Sequence, residues 1–408
     1  MGLLSLVIGR RKGKMAENFR KRSLALPIYL PSLFFEAALS ALLPILPASA
    51  TEYGVSLAAA GAVTAAAMLG TFLFELPAAG IVNRIGERSA TLLATSTATF
   101  FGFLGFLNLG YVPLLFIAAG FGAMFSLYGL SRHSMLAASV PSTHRAKSMS
   151  LLGGSFRGGA ALGPILGSVA VSQHGTTAAY LVASALCVVA LSAVLLAPSG
   201  RFAAESSGEQ GNVWAVAKRE RQKLLTLGIA SAIISAGRTI RLIGLPLLAI
   251  QLGIDAATAS LVFGITGAID FALFYASGLI MDRWGKFWSS VPTLLMLGVA
   301  YLFSFLVTDV PSFWVLAAVT ALANAASAGI NMVLGADMAP PGARSDFLAA
   351  FRTLTSGGVV LAPLAITTMT AVMTLPAALA ITGLLNFYGA YLFWKYLPVH
   401  APDSKLLD

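Results

Sequence analysis

The stretch Gly80-Ile-Val-Asn-Arg-Ile-Gly-Glu-Arg88 returns later in the chain as Leu279-Ile-Met-Asp-Arg-Trp-Gly-Lys-Phe287. The interval between the two copies, taken from position 80 to position 279, is 199 residues. Other pairs keep this interval or one close to it: Gly158-Gly159 with Gly357-Gly358, Pro164 with Pro363, and, at 202 residues, Pro44 with Pro246. Several anchors at nearly one spacing indicate an inexact duplication into two halves of the same topology.

The composition indicates that both halves lie in a lipid bilayer. Of the 408 residues, 57% are hydrophobic and 10% charged, whereas a soluble domain carries about 25% charged residues. Twelve apolar runs are long enough to cross a hydrocarbon core of about 30 Å. They lie at 25–49, 55–80, 89–109, 112–138, 148–172, 176–198, 223–250, 256–281, 288–308, 311–338, 346–372 and 375–397. The sequence therefore predicts an all-α membrane protein, with 12 transmembrane helices in two pseudo-symmetric six-helix bundles.

The duplication and the apolar runs together predict the division of the chain. A basic N-terminal segment (1–24) precedes the first bundle (25–198), and a polar linker (199–222) leads to the second bundle (223–397) and a short tail (398–408). Met15 is an alternative start, because the residues before it resemble an untranslated leader. The apolar stretch at 3–8 precedes the basic residues, the wrong order for a signal peptide.

The net charge of +10 follows the topology of the helices. If the helices alternate from a cytoplasmic N-terminus, every basic loop and terminal segment falls on the cytoplasmic side. The opposite loops carry Glu52, Asp255 and Asp309 and no Lys or Arg. This is the positive-inside pattern, which places both termini in the cytoplasm and argues against nucleic acid as a partner.

The sequence lacks the residues that several kinds of site require. Cys187 is the single cysteine and the four histidines are dispersed, which argues against disulfides and a metal site. No G-x-x-x-x-G-K-[ST] phosphate loop and no nucleophile–base pair occurs. We therefore expect no enzyme activity and no cofactor. A sensor with a transporter-like membrane part would need an attached cytoplasmic domain, and the sequence shows none.

The duplicated stretch resembles a loop motif of the major facilitator superfamily, G-x-L-x-D-R-x-G-R-K, between helices 2 and 3 of each half. The second copy is the stronger match: Gly278, Asp282, Arg283 and Gly285 occupy motif positions. The first copy has Ala79 at the leading glycine and Asn83 at the acidic position, and keeps Arg84, Gly86 and Arg88. In the family the acidic residue belongs to a charge network that latches one conformation, which implies a weaker latch in the first half. The alternative is that these arginines only set topology.

Two further motifs are similar to those of twelve-helix drug:proton antiporters in this superfamily. Span 5 carries Gly159-x-x-x-Gly163-Pro164-x-x-Gly167, whose glycines share one helix face and would equally serve close helix packing. Span 1 carries Pro44-Ile-Leu-Pro47. The R-x-x-x-G-x-G motif of span 4 is missing its arginine, because Phe116 stands at that position. The resemblance implies a multi-pass protein of a bacterial or archaeal cytoplasmic membrane that functions as a monomer.

Ionisable residues inside spans are candidates for function because each is costly unless it is paired or hydrated. Six lie in spans that line the central path in the family: Glu36, Glu75, Arg157, Arg238, Arg241 and Asp270. The prolines Pro44 and Pro246 align Glu36 with Arg238, which places the two at equivalent depths and makes an interaction between them across the cavity feasible. We expect Glu36 and Asp270 to couple protons to the substrate, with the arginines as counter-charges or anion ligands. Permanent salt bridges are the alternative.

Two functions follow from these features. The first is efflux of small amphipathic molecules or drugs, driven by the proton gradient through alternating access. The second is transport of an anionic metabolite, such as an organic acid, sugar acid or siderophore, bound by the intramembrane arginines. Both make a small molecule and the lipid bilayer the partners. Substrate identity, direction and stoichiometry are not encoded in any single motif.

Overall fold

A computed structural model describes residues 24–140, 142–197, 213–340 and 342–401 of the chain. These residues form helices and connecting turns, with no β-strand among them. The predicted N-terminal segment, most of the linker and most of the tail lie outside the described residues, as does the question of Met1 or Met15. The all-α fold predicted from the sequence is confirmed.

Twelve helices follow one another at the predicted positions. They are α1 (Ala25–Thr51), α2 (Leu57–Ile85), α3 (Glu87–Phe106), α4 (Tyr111–Ser139), α5 (Ser142–His174), α6 (Ala178–Leu196), α7 (Arg221–Gln251), α8 (Ala256–Trp284), α9 (Lys286–Leu306), α10 (Val310–Met338), α11 (Arg344–Val372) and α12 (Leu375–His400). A short linker helix, Val213–Arg219, precedes α7. Among the described residues, eleven helices are long and apolar enough to cross a membrane. The twelfth, α5, is 33 residues long but richer in polar residues, so its span stays a prediction.

The duplication is visible in how the helices begin and end. Ser56 and Asp255, separated by the interval of the duplication, are the N-caps of α2 and α8, and each accepts a hydrogen bond from the backbone three residues on. Gly86 and Gly285 end the same two helices with φ of 80° and 89°, a conformation that favours glycine. The two motif loops therefore have one backbone geometry, set by these glycines.

The halves differ in the regularity of two helices. In α1 the helix is interrupted between Leu42 and Leu46, whereas α7 is continuous from Ile229 to Gln251. In the second half, α10 is interrupted between Ala326 and Ile330, whereas its counterpart α4 is continuous. A π-helical turn opens α1 at Ala25–Tyr29, and another lies near the start of α7 at Leu224–Gly228; the two turns are again related by the interval of the duplication.

The glycine-rich face of α5 packs on α1. A Cβ added at Gly159 would lie 2.3 Å from the carbonyl oxygen of Leu33, and one at Gly163 would lie 2.1 Å from that of Ala37. Gly167 continues the row at 3.3 Å from the oxygen of Ala41. The predicted close approach of another helix backbone is therefore present, and the missing side chains are what permit it.

The two halves meet closely at one end only. We call the end where α6 finishes and α7 begins the linker end, and the opposite end the far end. Towards the far end, α5 and α8 are in contact: Ser260 donates to the carbonyl of Pro164 at 2.9 Å, and a Cβ on Gly264 would lie 2.9 Å from the backbone nitrogen of Ile165. Towards the linker end, Cβ atoms on Gly153 and Gly278 of the same helices would meet no described atom within 4 Å. Along α5 and α8 the two halves are thus in contact at the far end and separate at the linker end.

Candidate functional site

An ion pair joins the two halves at the boundary between the closed and the open part of this interface. Nη1 of Arg157, on α5, lies 2.8 Å from Oδ2 of Asp270, on α8. The guanidinium also lies over the ring of Phe274, with 4.5 Å from its central carbon to the ring centroid. Phe274 is one turn from Asp270 on the same helix, so α8 holds both the charge and the aromatic face that fix Arg157.

The pair is incompletely hydrogen-bonded. Oδ1 of Asp270 is buried and has no hydrogen-bond partner among the described residues. A guanidinium can bind both oxygens of a carboxylate, which gives the stronger arrangement, yet Arg157 contacts one. The side chain of Arg157 is 21% exposed.

Arg238 is held at the interruption of α10. Its Nη2 donates to the carbonyl oxygen of Ser327 and to Oγ of the same residue, the latter at 2.6 Å. This carbonyl lies where the helix stops at Ala326 and resumes at Ile330, and it also accepts from the backbone nitrogen of Ile330 at 3.3 Å. Nε of Arg238 is buried without a partner among the described residues. A neutral serine therefore anchors the arginine and leaves its charge uncompensated.

Arg241 adds a third cation on α7. Its side chain is buried, and its Nη1 has no partner among the described residues. Arg238 and Arg241 both lie within electrostatic range of Asp270, and each also interacts with Arg157. The structure thus brings together four of the six predicted residues, as three cations around one carboxylate. We call these four residues the arginine cluster.

Glu36 has partners other than the predicted one. Oγ of Ser40 donates to its Oε1 at 3.4 Å, and a Cβ on Gly159 would lie 2.8 Å from the Cβ of Glu36. Arg238 bonds to Ser327 instead, so the interaction of Glu36 with Arg238 that the sequence made feasible is absent among the described residues in this conformation. Both residues remain on helices that border the space between the halves.

Helix packing explains why the alignment on prolines failed. Gly159 packs on the carbonyl of Leu33, and its counterpart Gly358 packs on the carbonyl of Ala232. Leu33 and Ala232 keep the same separation as Gly159 and Gly358, so in this part of the helices the counterpart of Glu36 is Ser235. Arg238 lies three residues further, about 4.5 Å along the helix axis.

Glu75 lies outside the arginine cluster. It is half-buried on α2, in a stretch whose Leu73 and Leu76 are 68% and 86% exposed. Among the described residues it makes no ion pair or hydrogen bond. Its predicted role in proton coupling stays a prediction.

The motif loops lie at the linker end, and the arginines of the two loops contact different partners. Arg88 donates to the carbonyls of Val194 and Leu195 at 3.2 Å each, which places a cation at the C-terminus of α6, where the helix dipole favours it. Arg283 instead lies over its neighbour Trp284, at 5.6 Å from the ring centroid. Side chains at four motif positions are exposed: Asn83, Arg84, Asp282 and Arg283. Their predicted role as a latch stays a prediction.

The sequence did not predict some of the contacts between polar residues. Lys286 forms a 2.8 Å ion pair with Asp337, and Ser134 donates to Glu87 at 3.0 Å. Glu87 and Lys286 are equivalent positions of the duplication, so the repeat itself could have marked them as positions that fasten the third helix of each half to the fourth. Arg132 is fully buried and donates to the carbonyl of Pro27.

Comparison with known proteins identifies the family. A model described as the Major Facilitator Superfamily matches residues 28–288 and 227–408. The chain therefore belongs to this superfamily and is a secondary transporter. A search of curated proteins found no match.

Solved structures with the same fold include transporters of different substrates. A peptide transporter of the POT family in complex with sulfate superposes with a TM-score of 0.79 at 11% identity, over 95% of this chain and 98% of that one. A D-xylose-proton symporter gives 0.70 at 18% identity, over 93% and 99%. A bacterial homologue of the lysosomal transporter Spinster, inward-facing and occupied, gives 0.71 at 14%, over 91% and 95%. At these identities the likeness shows the fold alone.

Proposed function

We propose that this chain couples the proton gradient to the transport of a small organic anion that also has an apolar part. The observation that carries the proposal is the composition of the arginine cluster, in which Asp270 is the single carboxylate facing Arg157, Arg238 and Arg241. The proposal combines the two functions considered from the sequence, transport of an anion and movement of amphipathic compounds. Transport of an anion takes the leading place.

The charge excess supports an anion as substrate. Charges in a medium of low dielectric interact far more strongly than in water, and unpaired ones are costly to bury. Three arginines with one aspartate leave two positive charges uncompensated within the cluster. An incoming carboxylate or phosphate would reduce that excess, whereas a cationic drug would add to it.

The surroundings of the cluster support an apolar part. Phe271 lies one residue from Asp270 and is 46% exposed. A Cβ on Gly158 of α5 would lie 3.9 Å from its ring, which puts the ring at the α5–α8 interface. Exposed aromatic surface beside a fixed cation suits a compound with an anionic head and an apolar body. This is also the observation that favours amphipathic compounds as the second candidate.

The opening at the linker end supports alternating access. Closure of the linker end with separation at the far end would expose the cluster to the other side. If the basic loops are cytoplasmic, the present conformation opens towards the cytoplasm. We propose Asp270 as the main proton carrier, because it alternates between an arginine partner and a free state as the halves move, and Glu36 as a second carrier. We further propose that the protein functions as a monomer in a bacterial or archaeal cytoplasmic membrane, with both termini in the cytoplasm.

The test is uptake by purified protein in liposomes under an imposed proton gradient. The probes are labelled benzoate, lactate and gluconate, which share a carboxylate and differ in apolar surface, against a lipophilic cation. We expect saturable flux of at least one anion, a loss of ten-fold or more in Arg238→Gln, and little change in the control Arg219→Gln, whose side chain is exposed in the linker helix. Flux of the cation alone, unaffected by Arg238→Gln, would refute the proposal and favour drug efflux.

A further inference from the structure

The Arg157–Asp270 pair lies where a molecule entering from the linker end would stop. Four residues on the linker side of Arg157, at Gly153, the α5 surface is open; four residues on the far side, at Ala161, it is packed against Gly267 of α8. On α8, Asp270 likewise lies between Gly267, which is packed against α5, and Gly278, where the helix surface is open. The pair therefore forms the inner limit of the open space.

The pair is made in a way that allows exchange. Asp270 presents one oxygen to Arg157 and leaves the other without a partner among the described residues, although the guanidinium has five N–H donors. Phe274 holds the guanidinium by its face, independently of the carboxylate. Loss of Asp270 from Arg157 would thus leave the arginine in position, with donors directed at whatever carboxylate-like group replaced it.

The charge balance makes replacement feasible. Arg238 and Arg241 lie within electrostatic range of Asp270, so a second anion can enter without leaving the cluster net negative. Among the ion pairs whose two side chains the structure describes, Arg157–Asp270 is the one that joins the two halves. Its exchange for a bound anion would remove a bond that holds the present conformation.

We propose that Asp270 occupies the place on Arg157 that the oxyanion of the substrate takes during transport, so that Asp270 is a built-in competitor of the substrate. This rests on the proposed transport of anions. It assigns Arg157 as the residue that receives the oxyanion and Asp270 as the residue that sets its affinity and is released when the anion binds. A purely structural salt bridge would behave differently, because its loss would weaken or leave unchanged the binding of a ligand.

The test measures anion binding by stabilisation of the folded protein. Cys187 is the single cysteine of the chain and is fully buried, so a thiol-reactive dye reports unfolding on heating. A ligand that binds the folded state raises the unfolding temperature in proportion to the logarithm of its concentration over Kd. Benzoate, lactate, gluconate and inorganic phosphate are the probes, applied to the wild type, Asp270→Asn, Arg157→Gln and Asp255→Asn. The last is a matched control: the same change at the N-cap of the same helix, where asparagine serves as well as aspartate.

We expect the concentration of anion that stabilises Asp270→Asn to fall at least ten-fold relative to wild type and to Asp255→Asn. Arg157→Gln should lose the response. If anions stabilise the wild type and Asp270→Asn binds them equally or more weakly, the competitor proposal is wrong while anion transport stands. If no anion stabilises any variant and none is transported, the proposed function fails with it.

Discussion

Replacement of Gly163 by alanine tests the contact between α1 and α5. The added Cβ would lie 2.1 Å from the carbonyl oxygen of Ala37, where ordinary van der Waals contact begins near 3.4 Å. Neither atom is the end of a flexible side chain, so the two helices must separate by roughly 1 Å, and the neighbouring contact of Gly159 with Leu33 separates with them. Overpacking of this kind typically costs about 1–3 kcal/mol.

The matched control is Gly153→Ala on the same helix. No atom lies within 4 Å of a Cβ at Gly153, so that variant has only the gain in helix propensity, up to about 1 kcal/mol. Gly163→Ala shares that gain, so the overpacking cost remains as the difference, and we expect Gly163→Ala to be less stable than Gly153→Ala by about 1–3 kcal/mol. The dye reaction of Cys187 measures this directly, because α6, which carries it, packs on α1. Equal unfolding temperatures for the two variants would show that the α1–α5 contact is not as close as described.

Three further predictions concern the interface and the loops. Asp270→Asn should abolish uptake driven by a proton gradient and spare counterflow in liposomes; unchanged gradient-driven uptake would contradict a proton role. Gly267→Val should weaken the contact between α5 and α8 at the far end, since a Cβ added at this position would lie only 3.1 Å from Cα of Ala161. In a Cys187→Ser protein this should appear as faster alkylation of Ser260→Cys, and no increase would argue against it. Gly285→Ala should cost about 1–3 kcal/mol, because φ 89° with ψ 170° lies in a region essentially restricted to glycine. Thermal denaturation followed by circular dichroism should detect the loss.

The fold was predictable because its signals are local or periodic. Apolar runs gave the helices within a few residues, and the interval of the duplication recurs in N-caps, in terminal glycines and in π-helical turns. These features depend on short segments of backbone, which sequence spacing describes well. The span assigned to α5 is the exception: its polar and glycine-rich surface is covered by α1 and α8, so hydropathy alone does not mark it.

The pairing of charges was not predictable from spacing. Two alignments of the halves were available near Glu36, one on the prolines and one on the packing glycines, and they differ by about one helical turn. The proline alignment paired Glu36 with Arg238. The structure follows the glycines there, because backbone contact at Gly159 and Gly358 leaves no freedom to slide. A row of packing glycines is therefore the better guide to depth than a proline.

The interruption of α10 positions one arginine of the arginine cluster. The backbone carbonyl of Ser327, at this interruption, accepts from Arg238 and also from the backbone nitrogen of Ile330. The equivalent position of continuous α4 is Tyr128, which stacks on Phe35 with 4.0 Å between ring centroids and donates to Ser32 at 3.4 Å. The same place in the fold thus holds a serine that binds Arg238 in one half and a tyrosine in the other, with the guanidinium of Arg132 over the tyrosine ring at 5.2 Å from its centroid. Arg157 is the one member of the arginine cluster that the first half contributes, so the anion binding proposed above would require both halves, and their separation at this point would alternate with binding.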